Sequence, residues 1–261
     1  MVDVHLHILP GVDDGPADLA ESLSVARALV AEGVRIAVAT PHVRDDYPTP
    51  LAEMRGRVAQ LRAALAEQGV PLDVRTGGEV AIDRLPALDD DEVRGFSIGG
   101  AGRHLLLEFP YSGWPLALPA AVERLRSLGM SPVIAHPERS AEVQRDPALL
   151  GPMVGAGALV QLTASSLAGR PGSRSRAAGF RLLELGLAHV VASDAHAAGV
   201  RPIALAAAVA AVGDRRLAGW LTRDAGAALV AGSAPPPRPE AQPERREAGG
   251  RGGVRRLWSR R

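Results

Sequence analysis

Seven short apolar runs recur along the chain, and polar or charged residues follow each of them. Most of the runs are rich in Val, Ile or Leu, a composition typical of strands that are buried on both faces of a sheet. The pattern predicts strands at residues 2–7, 35–40, 72–76, 104–109, 131–136, 158–163 and 188–193.

Helical periodicity appears between most of these runs. Residues 18–32 carry apolar side chains three or four positions apart, and Gly33 follows as a stop signal. The same pattern predicts helices at 51–68 and 116–128, a helix that ends at 180–185, and a last helix that ends near Val230. The stretch between the third and fourth runs shows little clear helix.

The alternation of strands and helices predicts a parallel α/β sheet. This pattern is compatible with an open doubly wound sheet and with a closed barrel. The chain contains no GxGxxG or GxxxxGK[ST] phosphate loop, which weakens the case for a nucleotide-binding open sheet.

Composition narrows the chemistry that the chain can perform. With 261 residues, 46% of them hydrophobic, it can bury a sizeable core. It contains no cysteine, which excludes disulfide bonds, thiolate metal sites and a cysteine nucleophile. The first residues do not resemble a signal peptide, and no apolar stretch reaches the roughly 18 residues that span a bilayer. We therefore expect a cytoplasmic protein.

Charge and composition divide the chain after Gly232. The segment 233–261 has eight arginines and three glutamates and so carries +5, which leaves −4 for residues 1–232 of a chain whose net charge is +1. Its prolines and glycines predict a disordered basic tail after a folded domain at 1–232. Because the basic excess lies in the tail, nucleic-acid binding is not expected. The tail is either a solvated extension without function or a weak electrostatic anchor to an anionic membrane surface.

Residues of metal-ligand type stand at the carboxyl-terminal ends of six of the seven runs. His5 and His7 form an H-x-H pair, whose side chains share one face of a strand. In a parallel barrel the strand ends meet on one face, so these residues should converge. Imidazole and carboxylate ligands together suit Zn, Mn or Fe. The candidate ligands are His5, His7, His42, Glu79, Glu108, His136, Asp194 and His196, with Asp14 of the GVDDG turn as a ninth.

Each of these residues also has a structural interpretation, since a lone histidine near a strand end is more often a hydrogen-bonding group than a ligand. Repetition at several strand ends favours a metal centre instead. His104 and His189 begin their runs, so we expect them to lie roughly 13–16 Å from the strand ends and to be structural.

Three arginines are candidates for binding phosphate oxygens, which a guanidinium matches in geometry. Arg139 and Arg201 follow candidate ligands closely, and Arg170 lies in the loop after the sixth run. We favour phosphate binding for Arg139 and Arg201, whereas Arg170 is as easily a surface residue.

The motifs DVHLHILPGVDDGP, ATPH, LLLEFP, VIAHPER, LVQLTASSLAGR and VVASDAH resemble one family. They are similar to the manganese-dependent protein-tyrosine phosphatases of bacterial capsule and exopolysaccharide loci, within the PHP (polymerase and histidinol phosphatase) superfamily. The resemblance extends from Met1 to about Gly232. It implies a distorted seven-stranded (β/α)7 barrel with up to three divalent ions, for which Mn²⁺ is the expected metal and Zn²⁺, Fe²⁺ or Co²⁺ are alternatives.

The resemblance also implies a role for each candidate residue. The first ion would be held by His5, His7, Glu79 and Asp194; the second by Glu79, Glu108 and His136; and the third by Asp14, His42 and His196. Arg139 and Arg201 match arginines that engage the phosphate. The implied substrate is a phosphotyrosine protein, the tail of a membrane-bound tyrosine autokinase. Pro171 and the segment RDDYPTP after His42 depart from the usual pattern, and both border the expected substrate entrance.

The predicted reaction is hydrolysis of a phosphate monoester by a hydroxide held between two cations, which attacks phosphorus in line. Two alternatives stay open at this point. One is another phosphomonoesterase of the same superfamily, such as a histidinol phosphatase. The other is a metal-bound regulatory module without turnover.

Overall fold

The computed structural model describes residues 1–170, 172–196 and 202–240. All of the paired strands within them run parallel, which confirms the predicted α/β class, and each predicted run contains a strand. The strands are β1 (Val2–Leu6), β2 (Ile36–Ala39), β3 (His42–Val43), β4 (Asp73–Thr76), β5 (Glu79–Ala81), β6 (His104–Glu108), β7 (Ser131–Ile134), β8 (Leu159–Thr163) and β9 (Val190–Ala192).

Helices connect the strands where the periodicity predicts them. Asp18 caps the first helix, because its carboxylate accepts a hydrogen bond from the Glu21 amide at 2.9 Å. A short helix lies in the stretch where little helix was predicted, and a π-helical turn, Trp220–Asp224, precedes the last helix. The α-helices are α1 (Leu19–Ala31), α2 (Leu51–Glu67), α3 (Asp90–Gly95), α4 (Leu118–Ser127), α5 (Ala141–Arg145), α6 (Gly151–Gly155), α7 (Ala164–Leu167), α8 (Ser173–Glu184), α9 (Leu205–Val212), α10 (Arg215–Gly219) and α11 (Ala225–Val230).

The strands of the described residues form a curled parallel arrangement of two sheets. One sheet has the order β1-β2-β4 and the other the order β3-β5-β6-β7-β8-β9. Strands β3 and β5 were not predicted, since each has only two or three residues and begins at a polar residue. The count of seven strands is therefore not confirmed. A parallel bridge between Leu6 and Ala195 brings β1 beside the end of β9.

The core lies inside this curled sheet and beneath its helices. In β6 the three consecutive leucines Leu105, Leu106 and Leu107 are all fully buried, as expected for a strand that is covered on both faces. Aliphatic side chains dominate the rest of the core, because aromatic residues make up only 3% of the chain. The core holds the strands in register, and this register sets the positions of the polar residues at the strand ends.

The amino-terminal end of the sheet carries the first part of the predicted tail. The imidazole Nε2 of His104, at the start of β6, lies 3.1 Å from the Ser233 carbonyl. Trp220 donates a hydrogen bond to the Pro236 carbonyl at 2.9 Å, and Arg238 donates one to the Leu183 carbonyl at 2.7 Å. Residues 241–261 lie outside the described part of the chain. The domain boundary after Gly232 stays a prediction.

The α-helices range from the four residues of α7 to the 17 residues of α2. None of those in the described ranges is both long and apolar enough to cross a bilayer.

The contact between Gly99 and the last helix, α11, can be tested by mutation. Its φ is +72°, and a Cβ at this position would lie 2.6 Å from the Val230 carbonyl oxygen of α11. We expect Gly99→Ala to lower the free energy of unfolding by at least about 1–2 kcal/mol, because alanine avoids the left-handed region and its methyl group would clash. Urea unfolding would measure the change.

The matched control is Gly56→Ala. Gly56 lies within α2, and a methyl group added there would meet no described atom within 4 Å outside its own helix. Alanine at this position should raise stability by about 0.5–1 kcal/mol. If both variants were equally stable, the close approach of Gly99 to α11 would be refuted.

Candidate metal centre

The H-x-H pair of β1 lies at the carboxyl-terminal end of the sheet. His5 is fully buried and His7 is 1% exposed, and their ring centroids are 5.6 Å apart. Both side chains point to the same side, because alternate residues of a strand share a face. Hydrogen bonds at 2.8 Å from the His7 amide to the Ala195 carbonyl, and from the Asp194 amide to the His5 carbonyl, hold this strand next to the segment after β9.

Glu79 lies at the centre of the polar cluster. It is fully buried at the start of β5, where its backbone pairs with that of His42 at the start of β3. Its Oε1 lies 2.9 Å from Nε2 of His136 and 3.3 Å from Nε2 of His5. Its Oε2 lies 3.0 Å from Nδ1 of His42 and 3.4 Å from Nε2 of His7. One carboxylate thus contacts four imidazoles.

The cluster of His5, His7, His42 and Glu79 lines a depression at the carboxyl-terminal end of the sheet, which we call the cup. The remaining strands bring three more predicted ligands to it. Glu108 is the last residue of β6, while His136 and Asp194 follow the ends of β7 and β9 by two residues. His136 and Asp194 have positive φ angles of 32° and 49°, which is uncommon for residues other than glycine. Such backbone strain persists where the surrounding structure imposes it, and it is concentrated at functional sites.

All nine predicted ligands fall into four overlapping groups, in each of which the potential ligand atoms lie within 4.8 Å of one another. Within the described residues, Glu108 groups with His42 and Glu79 rather than with His136. The assignment of residues to individual ions therefore stays a prediction. The groups are His7, Asp14, His42 and His196; His5, Glu79 and His136; His5, His7 and Asp194; and His42, Glu79 and Glu108.

Buried polar atoms in the cup fit divalent cations. Nε2 of His5, Nε2 of His7, Nδ1 of His42 and Oε2 of Glu79 are inaccessible and form no hydrogen bond with the described residues. A buried polar atom without a partner is costly, so such atoms are rarely found together by chance. Imidazole nitrogens and carboxylate oxygens that face one another are the donor set of a transition-metal site.

Charge in the cup is strongly coupled. Although burial opposes ionisation, the charge of His5 and the hydrogen bond from His136 hold the pKa of Glu79 well below its usual range. Burial and the neighbouring Glu79 charge raise the pKa of Glu108 to about 8. Two neighbouring carboxylates are therefore shifted in opposite directions. Bound cations would remove this conflict, since they favour the ionised form of both.

The two aspartates of the GVDDG turn have different contacts. Asp14, the predicted ligand, has Oδ1 at 3.1 Å from Nε2 of His196 and 3.5 Å from Nε2 of His42. Asp13 was not selected from the sequence, yet its Oδ2 lies 2.6 Å from Nδ1 of His7 and accepts the His42 amide at 3.0 Å. Asp13 thus fixes the orientation of His7 and leaves Nε2 of that ring to face the cup. No sequence signal indicated that Asp13 would contact His7.

Gln161 of β8 is a second residue that the sequence did not reveal. Its Oε1 lies 2.9 Å from Nδ1 of His5 and accepts the His136 amide at 3.2 Å. It therefore orients the His5 ring, so that Nε2 faces the cup, and supports the strained backbone at His136. Partners of this kind commonly fix the tautomer of a metal-binding histidine. Its position at the middle of an apolar run was the one available signal.

The predicted phosphate-binding arginines have different outcomes. Arg139 lies at the cup, where Nη1 is 2.6 Å from Oδ2 of Asp194. Burial opposes protonation, but Asp194 raises the pKa of Arg139 and keeps it charged. Arg170 is exposed after α7. Arg201 and Pro171 lie outside the described residues. His189 accepts a hydrogen bond from the Val160 amide at 3.1 Å, consistent with a structural role.

Asp13 generates a testable prediction about metal binding. Asp13→Ala should weaken metal affinity by about 10–100-fold, because His7 loses the carboxylate that orients it. Asp13→Asn retains an oxygen acceptor and should lie between this variant and the wild type. Competition with a chelator of known affinity would measure both. An Asp13→Ala protein that binds metal as tightly as the wild type would contradict this positioning role.

Comparison with known proteins places this fold and cup in one family. The family model described as capsular polysaccharide synthesis, CpsB/CapC, matches residues 1–219. Tyrosine-protein phosphatase YwqE of Bacillus subtilis is 40% identical over 197 residues, which are 75% of this chain and 77% of YwqE. Tyrosine-protein phosphatase CpsB of Streptococcus pneumoniae is 28% identical over 210 residues, which are 77% of this chain and 85% of CpsB.

A solved structure agrees with these sequence matches. It comes from a crystallographic study of YwqE from Bacillus subtilis and CpsB from Streptococcus pneumoniae, described there as unique metal-dependent tyrosine phosphatases. It superposes with a TM-score of 0.82 at 34% identity and covers 93% of this chain and 100% of the matched chain. The family suggested by the sequence motifs is thus confirmed: this chain belongs to the CpsB/CapC family of capsular polysaccharide synthesis proteins.

Proposed function

We propose that this protein is a metal-dependent protein-tyrosine phosphatase. The observation that carries the proposal is the cup, where nine ligand-type side chains from six strand ends and one turn lie in four overlapping groups, two of which contain Glu79. Such a set fits several divalent cations, and a chain without cysteine cannot use a thiolate nucleophile for the same reaction.

The relatives support this function over the alternatives. YwqE and CpsB are tyrosine-protein phosphatases, and their structural study describes metal-dependent enzymes. This favours a tyrosine phosphatase over a histidinol phosphatase. A regulatory module without turnover is also disfavoured, because all nine predicted ligand positions hold ligand-type side chains and converge.

The bound cations and the side chains of the cup would have separate roles in the reaction. Divalent cations, when bound, would neutralise phosphoryl oxygens and lower the pKa of a water molecule. Arg139, which remains charged beside Asp194, would bind phosphoryl oxygens through its guanidinium. Asp13 and Gln161 hold His7 and His5 in fixed orientations, so that the cup needs little rearrangement during the reaction.

The leaving group fits the same chemistry. A tyrosine phenolate has a pKa near ~10, so it departs with less help from a general acid than a serine alkoxide would need. A site dominated by cations and arginine is therefore well suited to an aryl phosphate.

Finer features of the proposal extend beyond the cup. We propose Mn²⁺ as the resident metal, and the phosphorylated tail of a membrane-bound tyrosine kinase as the substrate, met in the cytoplasm. We also propose that the two sheets together make the distorted seven-stranded barrel. In this barrel β2 with β3, and β4 with β5, each count as one interrupted strand, because β3 and β5 lie directly after β2 and β4 in the chain.

The basic tail would act as a weak anchor to anionic lipid. Vesicle sedimentation of the chain truncated after Gly232 would test this role.

Phosphate release tests the proposed function. The wild-type protein, stripped with a chelator and reloaded with Mn²⁺, should hydrolyse a phosphotyrosine peptide much faster than histidinol phosphate. The stripped protein should be inactive, since the cup loses its positive charge. Glu79→Gln should reduce turnover to background, because this carboxylate contacts four of the candidate ligands. Preference for histidinol phosphate, or no turnover of any ester, would refute the proposal.

Arg139 gives a separate prediction. Arg139→Ala should lower turnover on the order of 100-fold, the usual effect of removing one donor to a developing negative charge. Arg139→Lys should recover part of this loss, since lysine restores the positive charge but not the paired N–H donors of the guanidinium. Metal content should be retained in both variants, and Arg201→Ala should behave in the same way. Loss of metal would instead mean that Arg139 acts mainly by holding Asp194.

A further inference from the structure

An open cavity of about 360 Å³ lies beside the metal cup. Glu108 belongs both to the cavity lining and to the candidate metal group with His42 and Glu79. If the phosphoryl group of a substrate binds in the cup, the organic group on its ester oxygen can therefore extend into this cavity. Two further cavities, one near Gly100 and one near Val70, contain none of the nine candidate ligands.

One wall of this cavity is apolar and firmly held. Ile82 is 6% exposed and Phe109 is 4% exposed, so neither side chain is free to move away. Trp114 packs against Phe109 in an edge-to-face arrangement with ring centroids 6.2 Å apart. A water-filled cavity with such a wall gains free energy when an apolar group replaces the water.

Tyr111 lies where the cavity meets the cup. Its ring centroid is 5.6 Å from that of His136, and its hydroxyl is 3.4 Å from Nη1 of Arg139. The residue is nevertheless 43% exposed, so a substantial part of an aromatic side chain borders the open space of the cavity. An exposed aromatic ring held beside an active site is a suitable surface for a second ring.

Arg44 supplies a planar cation to the lining. Its Nε lies 2.7 Å from Oδ1 of Asp46, and its guanidinium carbon lies 5.3 Å from the ring centroid of Tyr47. Nη1 is 3.8 Å from Oε2 of Glu108, so this guanidinium also borders the cup. A guanidinium can stack on an aromatic ring, and a short alkyl chain offers it no such surface.

We propose that the cavity between Glu108 and Tyr111, bordered by Arg44 and Phe109, binds the phenol ring of the substrate and thereby selects aryl phosphates over phosphorylated compounds without a ring. This inference rests on the proposed phosphatase function and assigns it a specificity site. Tyr111 is a specificity residue in this scheme, and it takes no part in the chemical step.

The experiment compares a substrate that has an aromatic ring with one that has none. One is a phosphotyrosine peptide with neutral flanking residues, so that the exposed carboxylates of Asp45 and Asp83 at the cavity contribute little. The other is acetyl phosphate, which has a good leaving group but no ring. In Tyr111→Ala the ratio of kcat/KM for the peptide to kcat/KM for acetyl phosphate should fall about tenfold, mainly through KM for the peptide.

Two further variants distinguish the effect of the Tyr111 ring from the effect of its hydroxyl group and from a general effect of changing this loop. Tyr111→Phe retains the ring and should keep the wild-type ratio, although the contact with Arg139 is lost. Leu116→Ala, in the same loop but 89% exposed and outside the cavity lining, should leave both activities unchanged. Metal content, measured for every variant, should equal that of the wild type.

Several outcomes would overturn the inference. If Tyr111→Ala slowed both substrates equally, Tyr111 would act through Arg139 or His136 and not through the ring of the substrate. If its ratio were unchanged, the cavity would not bind the ring. Failure of the underlying phosphatase function has a different signature, because the wild-type protein would then hydrolyse neither substrate.

Discussion

A single buried carboxylate organises this structure. Glu79 is fully buried and contacts His5, His7, His42 and His136, all within 3.4 Å. Burial of one unpaired charge would cost several kcal/mol, so this position is tolerable only where positive charge surrounds it. The four imidazoles come from three strands: His5 and His7 from β1, His42 from β3, and His136 from the end of β7. The sheet must therefore bring these strand ends together for the buried charge to be compensated.

The local backbone is shaped around the same requirement. His136 and Asp194 have positive φ angles, and both sit two residues beyond the end of a strand. Their amides are held by Gln161 and by the His5 carbonyl, respectively. The cost of the unusual backbone is met by these hydrogen bonds and by the packed core beneath them. Rigid support of this kind holds the candidate ligand atoms of the cup in place.

The two ends of the parallel sheet have different surroundings. The amino-terminal side of the sheet is covered, and there His104 and Trp220 bind backbone carbonyls of residues 233–240. The carboxyl-terminal side carries the cup and the open cavity beside Glu108. A comparable division is found in parallel α/β proteins, whose loops at the carboxyl-terminal end of the sheet vary while the scaffold stays fixed. The segments after His42 and Phe109 can thus vary without altering the cup.

The sequence alone determined the class of fold and the residue types of the cup. Apolar runs with helices between them require a parallel sheet, and the ends of parallel strands meet at one edge, so the predicted ligands had to converge. Only the tertiary structure revealed Asp13 behind His7 and Gln161 behind His5, and placed Glu108 with His42 rather than His136. These are differences of a few ångströms in side-chain direction. Periodicity fixes which face a residue occupies, whereas contacts between distant segments decide which atom it meets.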